Sequence, residues 1–91
     1  MLSHTNDQPG KAETLALAAL AATLTDERRA QRFLELTGLD AIELRARAGE
    51  RSLLAATLAF LEAHEPDLVA VAQAIGTKPE SLIAARLELD R

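Results

Sequence analysis

From residue 11 onward, the hydrophobic positions are nearly all leucine and alanine, set in stripes between polar residues. No stretch alternates convincingly between apolar and polar residues with the period of two that a strand shows. Leu and Ala have high helix propensities, whereas valines and isoleucines are few. The pattern predicts an all-α fold, a compact six-helix bundle. Its helices are expected near residues 11–24, 26–37, 41–48, 51–63, 66–75 and 78–89.

The expected boundaries follow from residues that begin or end helices. Thr25 is expected to cap the second helix, and Asp40 with Glu43 has the spacing of a capping box for the third. Gly49 is expected to end the third helix in the left-handed conformation. Thr77 repeats the capping-box spacing before the sixth helix. Prolines suit the first turns of the fifth and sixth helices, because an amide hydrogen is not needed there.

A shift of the chain by 38 residues, without any gap, aligns its two halves: Gly38, which ends the second helix, falls on Gly76, which ends the fifth. This indicates an internal duplication, and predicts two pseudo-repeated three-helix units packed through their first helices. Those two helices are apolar all round and should be buried. Their alanines would allow close approach, with Phe33 and Phe60 filling larger gaps. The aligned residues are Leu15, Ala18, Leu20 and Ala21 on Leu53, Ala56, Leu58 and Ala59.

The length of 91 residues allows one domain, because shorter pieces could not bury a core unaided. Residues 1–10 are polar, contain Pro9 and Gly10 and show no periodicity. We therefore expect a flexible N-terminal tail over residues 1–10 and a single helical domain over residues 11–91. With 48% hydrophobic and 26% charged residues, the composition is that of a globular protein.

The net charge and the cysteine content argue against several classes of function. The formal net charge of −4 opposes binding to nucleic acid or to an anionic membrane. The apolar run of the first helix is also too short to span a bilayer. Cysteine is absent, which removes thiolate catalysis and cysteine zinc sites and fits a reducing compartment. We expect a cytoplasmic protein.

The sequence carries no pattern typical of catalysis or metal binding. Its two histidines cannot build a three-histidine site, and no serine lies in a Gly-x-Ser-x-Gly elbow. His64, Glu65 and Asp67 form the single local cluster of possible metal ligands, but a helix boundary explains them better. The glycines are too widely separated for a phosphate or dinucleotide loop. We therefore expect no enzyme activity, no metal and no cofactor.

Six arginines against four acidic residues lie between Arg28 and Arg51, whereas both flanking segments are net negative. Arg28, Arg32, Arg47 and Arg51 are therefore candidate residues for binding an acidic partner protein. The alternative is that these arginines are simply solvated and form surface ion pairs along their helices, Arg32 with Glu35 and Arg47 with Glu43. The first hypothesis is a non-enzymatic protein–protein interaction or regulatory module, whose partner is another protein or a second copy of the chain.

A helix-turn-helix DNA-binding regulator is the alternative hypothesis. Val71, Ala72, Ile75, Gly76 and Leu82 follow the apolar, small and glycine positions of that motif. The corresponding recognition helix, however, is poor in residues for phosphate contacts and carries an acidic residue toward the DNA groove. The sequence therefore favours a protein partner over nucleic acid.

Core positions and helix-ending residues form a recognisable arrangement along nearly the whole chain after the tail. They are Ala19 and Leu20; Phe33, Leu34, Thr37, Gly38 and Leu39; Leu44 and Arg45; Leu58, Phe60 and Leu61; and Gly76 and Pro79. In these positions the chain resembles the small bacterial proteins classed as domain of unknown function 3572. The resemblance implies an all-helical bacterial protein. Because its motifs are structural, it assigns no function.

Overall fold

The computed structural model describes residues 10–91, so the predicted tail lies outside the described residues except for Gly10. Within this range all regular structure is helical, and the prediction of an all-α fold of six helices is confirmed. The helices are α1 (Lys11–Thr25), α2 (Glu27–Thr37), α3 (Ala41–Ala46), α4 (Arg51–Glu62), α5 (Glu65–Ala74) and α6 (Pro79–Leu89).

Four helices form the core of the protein. α1, α4 and α6 pack against one another, and α5 packs on all three. Leu58 and Leu61 of α4 and Leu82 of α6 are fully buried between them. The first helices of the two predicted units, α1 and α4, do pack together, but α6 packs on them as closely. We call α1, α4, α5 and α6 the four-helix core.

The prediction that α1 and α4 are buried on all sides is wrong. Leu17 of α1 is 45% exposed, and Ala21 and Ala59, which were expected between the two helices, are exposed. The fully buried alanines of α1 are Ala16 and Ala19 instead. The reason is that the other helices cover only one side of α1, so some of its apolar residues must face solvent.

α2 and α3 form an arm on the four-helix core. α2 packs on α1 and buries only Phe33, and the six-residue α3 buries only Leu44. The ring of Phe33 meets that of Phe60 edge to face, with ring centroids 5.1 Å apart. Both rings are buried, as predicted. We call residues 27–46 the α2–α3 arm.

The predicted capping box is present at α3 and absent at α6. The Asp40 carboxylate accepts a hydrogen bond from the Glu43 backbone N–H at 2.8 Å, and the Glu43 carboxylate accepts one from the Asp40 N–H at 3.1 Å. At α6 the prediction of a Thr77 cap is wrong. Lys78 is the N-cap residue, without a side-chain cap bond, because the helix begins at Pro79, one residue later than the predicted spacing required.

Two further boundary predictions are corrected by the structure. Asp26, rather than Thr25, caps α2, and its carboxylate accepts a hydrogen bond from the backbone N–H three residues later at 2.9 Å. Gly49 is not in the left-handed conformation, because α3 ends three residues before it. Gly38 and Gly76 do end α2 and α5 as predicted, with φ angles of 74° and 73° that favour glycine.

Candidate functional site

A groove of about 910 Å³ lies between α1 and α6. Four alanines, two from each helix, supply much of its apolar lining together with the half-buried Leu15. Thr14 and Ser81 add hydroxyl groups. Short side chains of this kind leave the backbones of both helices close to the open space. The alanines are Ala12, Ala18, Ala84 and Ala85. We call this opening the α1–α6 groove.

A second, smaller groove of about 300 Å³ lies against α4, beside the arm. Leu36 at the end of α2 borders it and is 69% exposed. Arg47, at the C-terminal end of α3, lies on the same border. The α4 residues in its lining are Ser52, Leu53 and Ala56. We call it the α4 groove.

The two grooves correspond to each other under the 38-residue shift. Five of the seven residues that line the α4 groove have a counterpart in the lining of the α1–α6 groove. Unrelated helices would not be expected to place aligned residues around openings of the same kind, so the correspondence supports the internal duplication. The paired residues are Thr14 with Ser52, Leu15 with Leu53, Ala18 with Ala56, Thr77 with Leu39 and Ala85 with Arg47.

The same alignment explains why the α1–α6 groove is the larger of the two. Ala85 stands there where the α4 groove has the long side chain of Arg47. Leu36, which also borders the α4 groove, aligns with Ala74, a residue outside the lining of the α1–α6 groove. Smaller side chains at corresponding positions therefore leave the α1–α6 groove more open.

Two of the four arginines predicted to bind a partner are bound to distant parts of their own chain. Arg32 of α2 forms an ion pair with Asp67 of α5. Arg51 joins three helices: its guanidinium pairs with Glu13 of α1 at 2.7 Å and donates to two backbone carbonyls at the end of α6, those of Glu88 and Leu89, each at 2.9 Å. This contact shows that α6 ends beside the starts of α1 and α4.

The other two predicted arginines are more available. Arg47 pairs with Glu50 at 2.8 Å, and both side chains are about half exposed. Arg28 is exposed and has no ion-pair partner among residues 10–91. The ion pairs expected from helical spacing, of Arg32 and Arg47 with Glu35 and Glu43, are not the ones formed. Arg32 is used in a tertiary contact, Glu43 in the capping box, and Arg47 in a local ion pair three residues along the chain.

Asp67 is the one buried charged residue of the described chain, at 6% exposure. Arg29 Nε donates to its Oδ1 at 3.0 Å, and Arg32 Nη2 donates to its Oδ2. Burial of the carboxyl raises the pKa of Asp67, but the hydrogen bonds and charges of Arg32 and Arg29 lower it by more, so the pKa lies below its ordinary value. Asp67 is therefore a carboxylate held between two arginines of α2.

A second ion-pair group fixes the middle of α6. Arg86 binds Glu62 of α4 and also Asp90, at 2.7 Å from the latter. Hydrogen bonding to the Glu62 carboxylate raises the pKa of Arg86 above its ordinary value. In the helix-turn-helix hypothesis this residue would be the basic group of the recognition helix. In the structure it is engaged by two carboxylates of its own chain.

The cluster of His64, Glu65 and Asp67 does not converge on a common point for a metal. His64 is the N-cap residue of α5, and Asp67 is held by the arginines of α2. In residues 10–91 no group of three or more His, Cys, Asp or Glu side chains has an arrangement that could hold a metal ion. In the same range, no helix is both long and apolar enough to cross a membrane.

Sequence reasoning missed the partnership of Arg29 and Asp67. The pair joins α2 to α5, so the local spacing of charges within one helix does not reveal it. The two residues are, however, separated by 38 residues, as are Arg51 and Glu13, so both pairs join aligned positions of the two halves. The sequence signal that could have predicted both ion pairs is the presence of opposite charges at positions aligned by the 38-residue shift.

The family model described as "Protein of unknown function (DUF3572)" matches residues 9–91, a span that contains all six helices and both grooves. No curated protein and no solved structure matches the chain. The family resemblance based on core positions and helix-ending residues is confirmed. The chain therefore belongs to the family described as Protein of unknown function (DUF3572).

Proposed function

We propose that this protein is a non-enzymatic interaction module whose α1–α6 groove binds an amphipathic helix of a partner protein. The observation that carries the proposal is the groove itself, which has a volume of about 910 Å³ and whose apolar lining consists mainly of four alanines and Leu15. Insertion of an amphipathic helix into an apolar groove is a recurrent mode of peptide recognition.

The lining of the groove suits a helix better than a small ligand. Ala18 and Ala84 face the opening from the two helices with only a methyl group each, so a third helix can approach closely. Leu15 offers contact to a larger apolar side chain. A small ligand would need convergent polar groups to fix its orientation. The carboxylates at the groove, Glu13 and Glu88, are each paired with an arginine of the same chain.

The arginine candidates give a second set of contacts for such a partner. Arg32 and Arg51 are needed within the protein, because removing them would take one of the two donors from the Asp67 carboxylate and both side-chain donors from the end of α6. Arg28 and Arg47 are exposed and can meet acidic groups of a partner. We therefore assign the main contact to the groove and retain Arg28 and Arg47, which do not line it, as candidates for a separate contact with an acidic partner.

DNA binding receives less support from this geometry. A recognition helix must present one face to a DNA groove, whereas α6 packs against α1, α4 and α5 and presents Glu80, Leu87 and Glu88 to solvent. We expect no retardation of random duplex DNA at low salt, where even nonspecific binders show affinity. Retardation under those conditions would favour the DNA-binding hypothesis over this proposal.

We also propose that the α1–α6 groove catalyses no reaction, because each carboxylate at its border is already paired with an arginine. The proposal places the protein in the cytoplasm, because a chain without cysteine fits a reducing compartment.

The variant Ala84→Arg tests the proposal, with Ala59→Arg as the matched control. Both alanines are exposed on helices, and arginine is a good helix former, so neither variant should lower the melting temperature by more than about 4 °C. Only Ala84 lines the groove. Tagged wild-type and variant proteins are purified from the native cells, and co-purifying proteins are quantified by mass spectrometry. We expect one partner to be retained by the wild type and by Ala59→Arg and lost about tenfold or more by Ala84→Arg.

The proposal would be contradicted if Ala84→Arg recovered every partner as well as the wild type does. Sedimentation equilibrium distinguishes a further outcome. A wild-type dimer that Ala84→Arg converts to a monomer would show that a second copy of the chain, rather than another protein, occupies the groove.

A further inference from the structure

We propose that the α2–α3 arm is a hinged element that opens as a unit from the four-helix core, and that Asp67 is the latch that holds it closed. The inference does not rest on the proposed function, because no residue of the arm lines the α1–α6 groove. It follows from how the arm is packed, how it is fastened and how it is joined to the rest of the chain.

The arm contributes little to the apolar core. Of the 17 buried hydrophobic residues among residues 10–91, only Phe33 and Leu44 belong to the arm. α2 packs on α1, and α3 packs closely on no other helix of the described chain. The helices of the four-helix core, by contrast, all pack against one another. The core can therefore stay closed when the arm leaves, and the arm loses on opening the apolar contacts of Phe33 and Leu44 and those of the partly buried Leu34 and Leu39.

Polar contacts fasten the arm at one place. Arg29 and Arg32 both bind the carboxylate of Asp67, which belongs to α5 of the core. The Arg32 guanidinium also lies over the ring of Phe60, with its carbon 5.2 Å from the ring centroid. Phe33 packs against the same ring. Two core residues, Asp67 and Phe60, thus make four contacts with three residues of α2.

The two connections of the arm to the core are suited to hinge motion. Asp26 is the single residue between α1 and α2, and its backbone is extended, with φ −98° and ψ 119°. On the other side, residues 47–50 join α3 to α4 and include the exposed Gly49. Glycine has the widest range of backbone conformations of any residue, and no atom outside its own neighbourhood lies within 4 Å of where a Cβ of Gly49 would be, so this position is not packed against the core.

Opening of the arm would uncover an apolar part of α4. Phe60 is 7% exposed in the closed arrangement, and its ring is covered by Phe33 and Arg32. Detachment of α2 removes both covers together, because the two residues are adjacent. The open state therefore presents Phe60 to solvent while α1, α4, α5 and α6 remain packed.

Native-state hydrogen exchange followed by mass spectrometry tests this inference on the full chain. In the wild type we expect amides of the arm to exchange at least about tenfold faster than those of α4 and α6, relative to their intrinsic rates. Asp67→Asn should accelerate exchange in the arm by about a further tenfold, because a neutral amide cannot replace a carboxylate between two arginines. Exchange in α4 and α6 should not change.

Glu62→Gln is the matched control. Glu62 also pairs with an arginine, Arg86, but that pair joins α4 to α6 within the four-helix core. This variant should leave the exchange of the arm unchanged. Phe33→Leu is a second way to loosen the latch, and it should accelerate the arm selectively even if Asp67→Asn fails to fold.

Three results would overturn the inference. Equal protection of the arm and of α4 and α6 in the wild type would mean that the arm opens only with global unfolding. The same conclusion would follow if Phe33→Leu, and Asp67→Asn where it folds, accelerated amide exchange equally in all helices. Exchange of the arm that responds to neither variant would show that these contacts are not its latch.

Discussion

Replacing Arg51 by alanine is expected to destabilise the protein much more than replacing Arg91, the arginine that follows α6. Arg51 makes one ion pair, with Glu13 at 2.7 Å, and two hydrogen bonds to carbonyl groups at the end of α6, at 2.9 Å each. Those carbonyls belong to the last turn of a helix, where backbone donors are few: the Glu88 carbonyl accepts a long bond of 3.4 Å from the Arg91 backbone N–H. Arg91 makes only a local ion pair with Glu88 and is 75% exposed.

The magnitude follows from these contacts. Each hydrogen bond to a carbonyl contributes about 0.5 to 1.5 kcal/mol net. The Arg51 side chain is 48% exposed, so its ion pair with Glu13 adds only about 0 to 1 kcal/mol. We therefore expect Arg51→Ala to lower the free energy of unfolding by about 1 to 4 kcal/mol. In a chain of this size that is a fall in melting temperature of at least about 4 °C. Arg91→Ala should change the free energy by less than about 0.5 kcal/mol.

Urea unfolding monitored by circular dichroism at 222 nm measures both variants under the same conditions. The comparison controls for loss of an arginine charge near the end of α6. Equal unfolding free energies for the two variants would refute the reasoning, because Arg51 would then not join the ends of α1, α4 and α6. Arg51→Lys should recover only part of the loss, since a lysine ammonium cannot span three acceptors as the guanidinium fork does.

Two further predictions concern acid and backbone conformation. The pKa of Asp67 is lowered in the folded protein, so the stability that its ionised form contributes is present above the unfolded pKa of 3.8 and is lost as the pH falls through the folded pKa. Below pH 3.8, the stability of Asp67→Asn should therefore fall less steeply with pH than the stability of the wild type. Parallel curves of stability against pH would contradict the assignment. Gly38→Ala should lower the free energy of unfolding by about 1 kcal/mol because of the positive φ at that position. Gly49→Ala, at an ordinary φ with open space around it, should be neutral or slightly stabilising. Thermal melts compare the two variants directly, and an equal loss of stability in both would count against the conformations described.

Local sequence signals predicted the features that depend on neighbouring residues. The capping box of Asp40 and Glu43 could be predicted because both partners lie within one helical turn. Gly38 and Gly76 could be predicted because their left-handed conformations follow from the helices that they end. Gly49 was mispredicted because α3 ends earlier, at Ala46, and the chain has no further need of a left-handed residue there.

Features that depend on tertiary packing were harder to predict from the sequence. The apolar residues of α1 give no indication of which side is covered, so the exposure of Leu17 could not be predicted from its own helix. The Asp67 latch required knowledge that α2 lies beside the start of α5. The α1–α6 groove was missed for a similar reason: alanines such as Ala84 are typical of any helix, and only the packing of α6 on α1 makes an opening from them.

Site-specific photo-crosslinking in the native cells tests the central functional claim most directly. A benzophenone amino acid placed at Lys11, an exposed long side chain at the border of the α1–α6 groove, is compared with the same group at Ala59, on the exposed side of α4. We predict one discrete crosslinked protein from position 11 and none from position 59. Crosslinks to that protein from both positions alike, or from neither, would contradict the claim that the groove is the binding site.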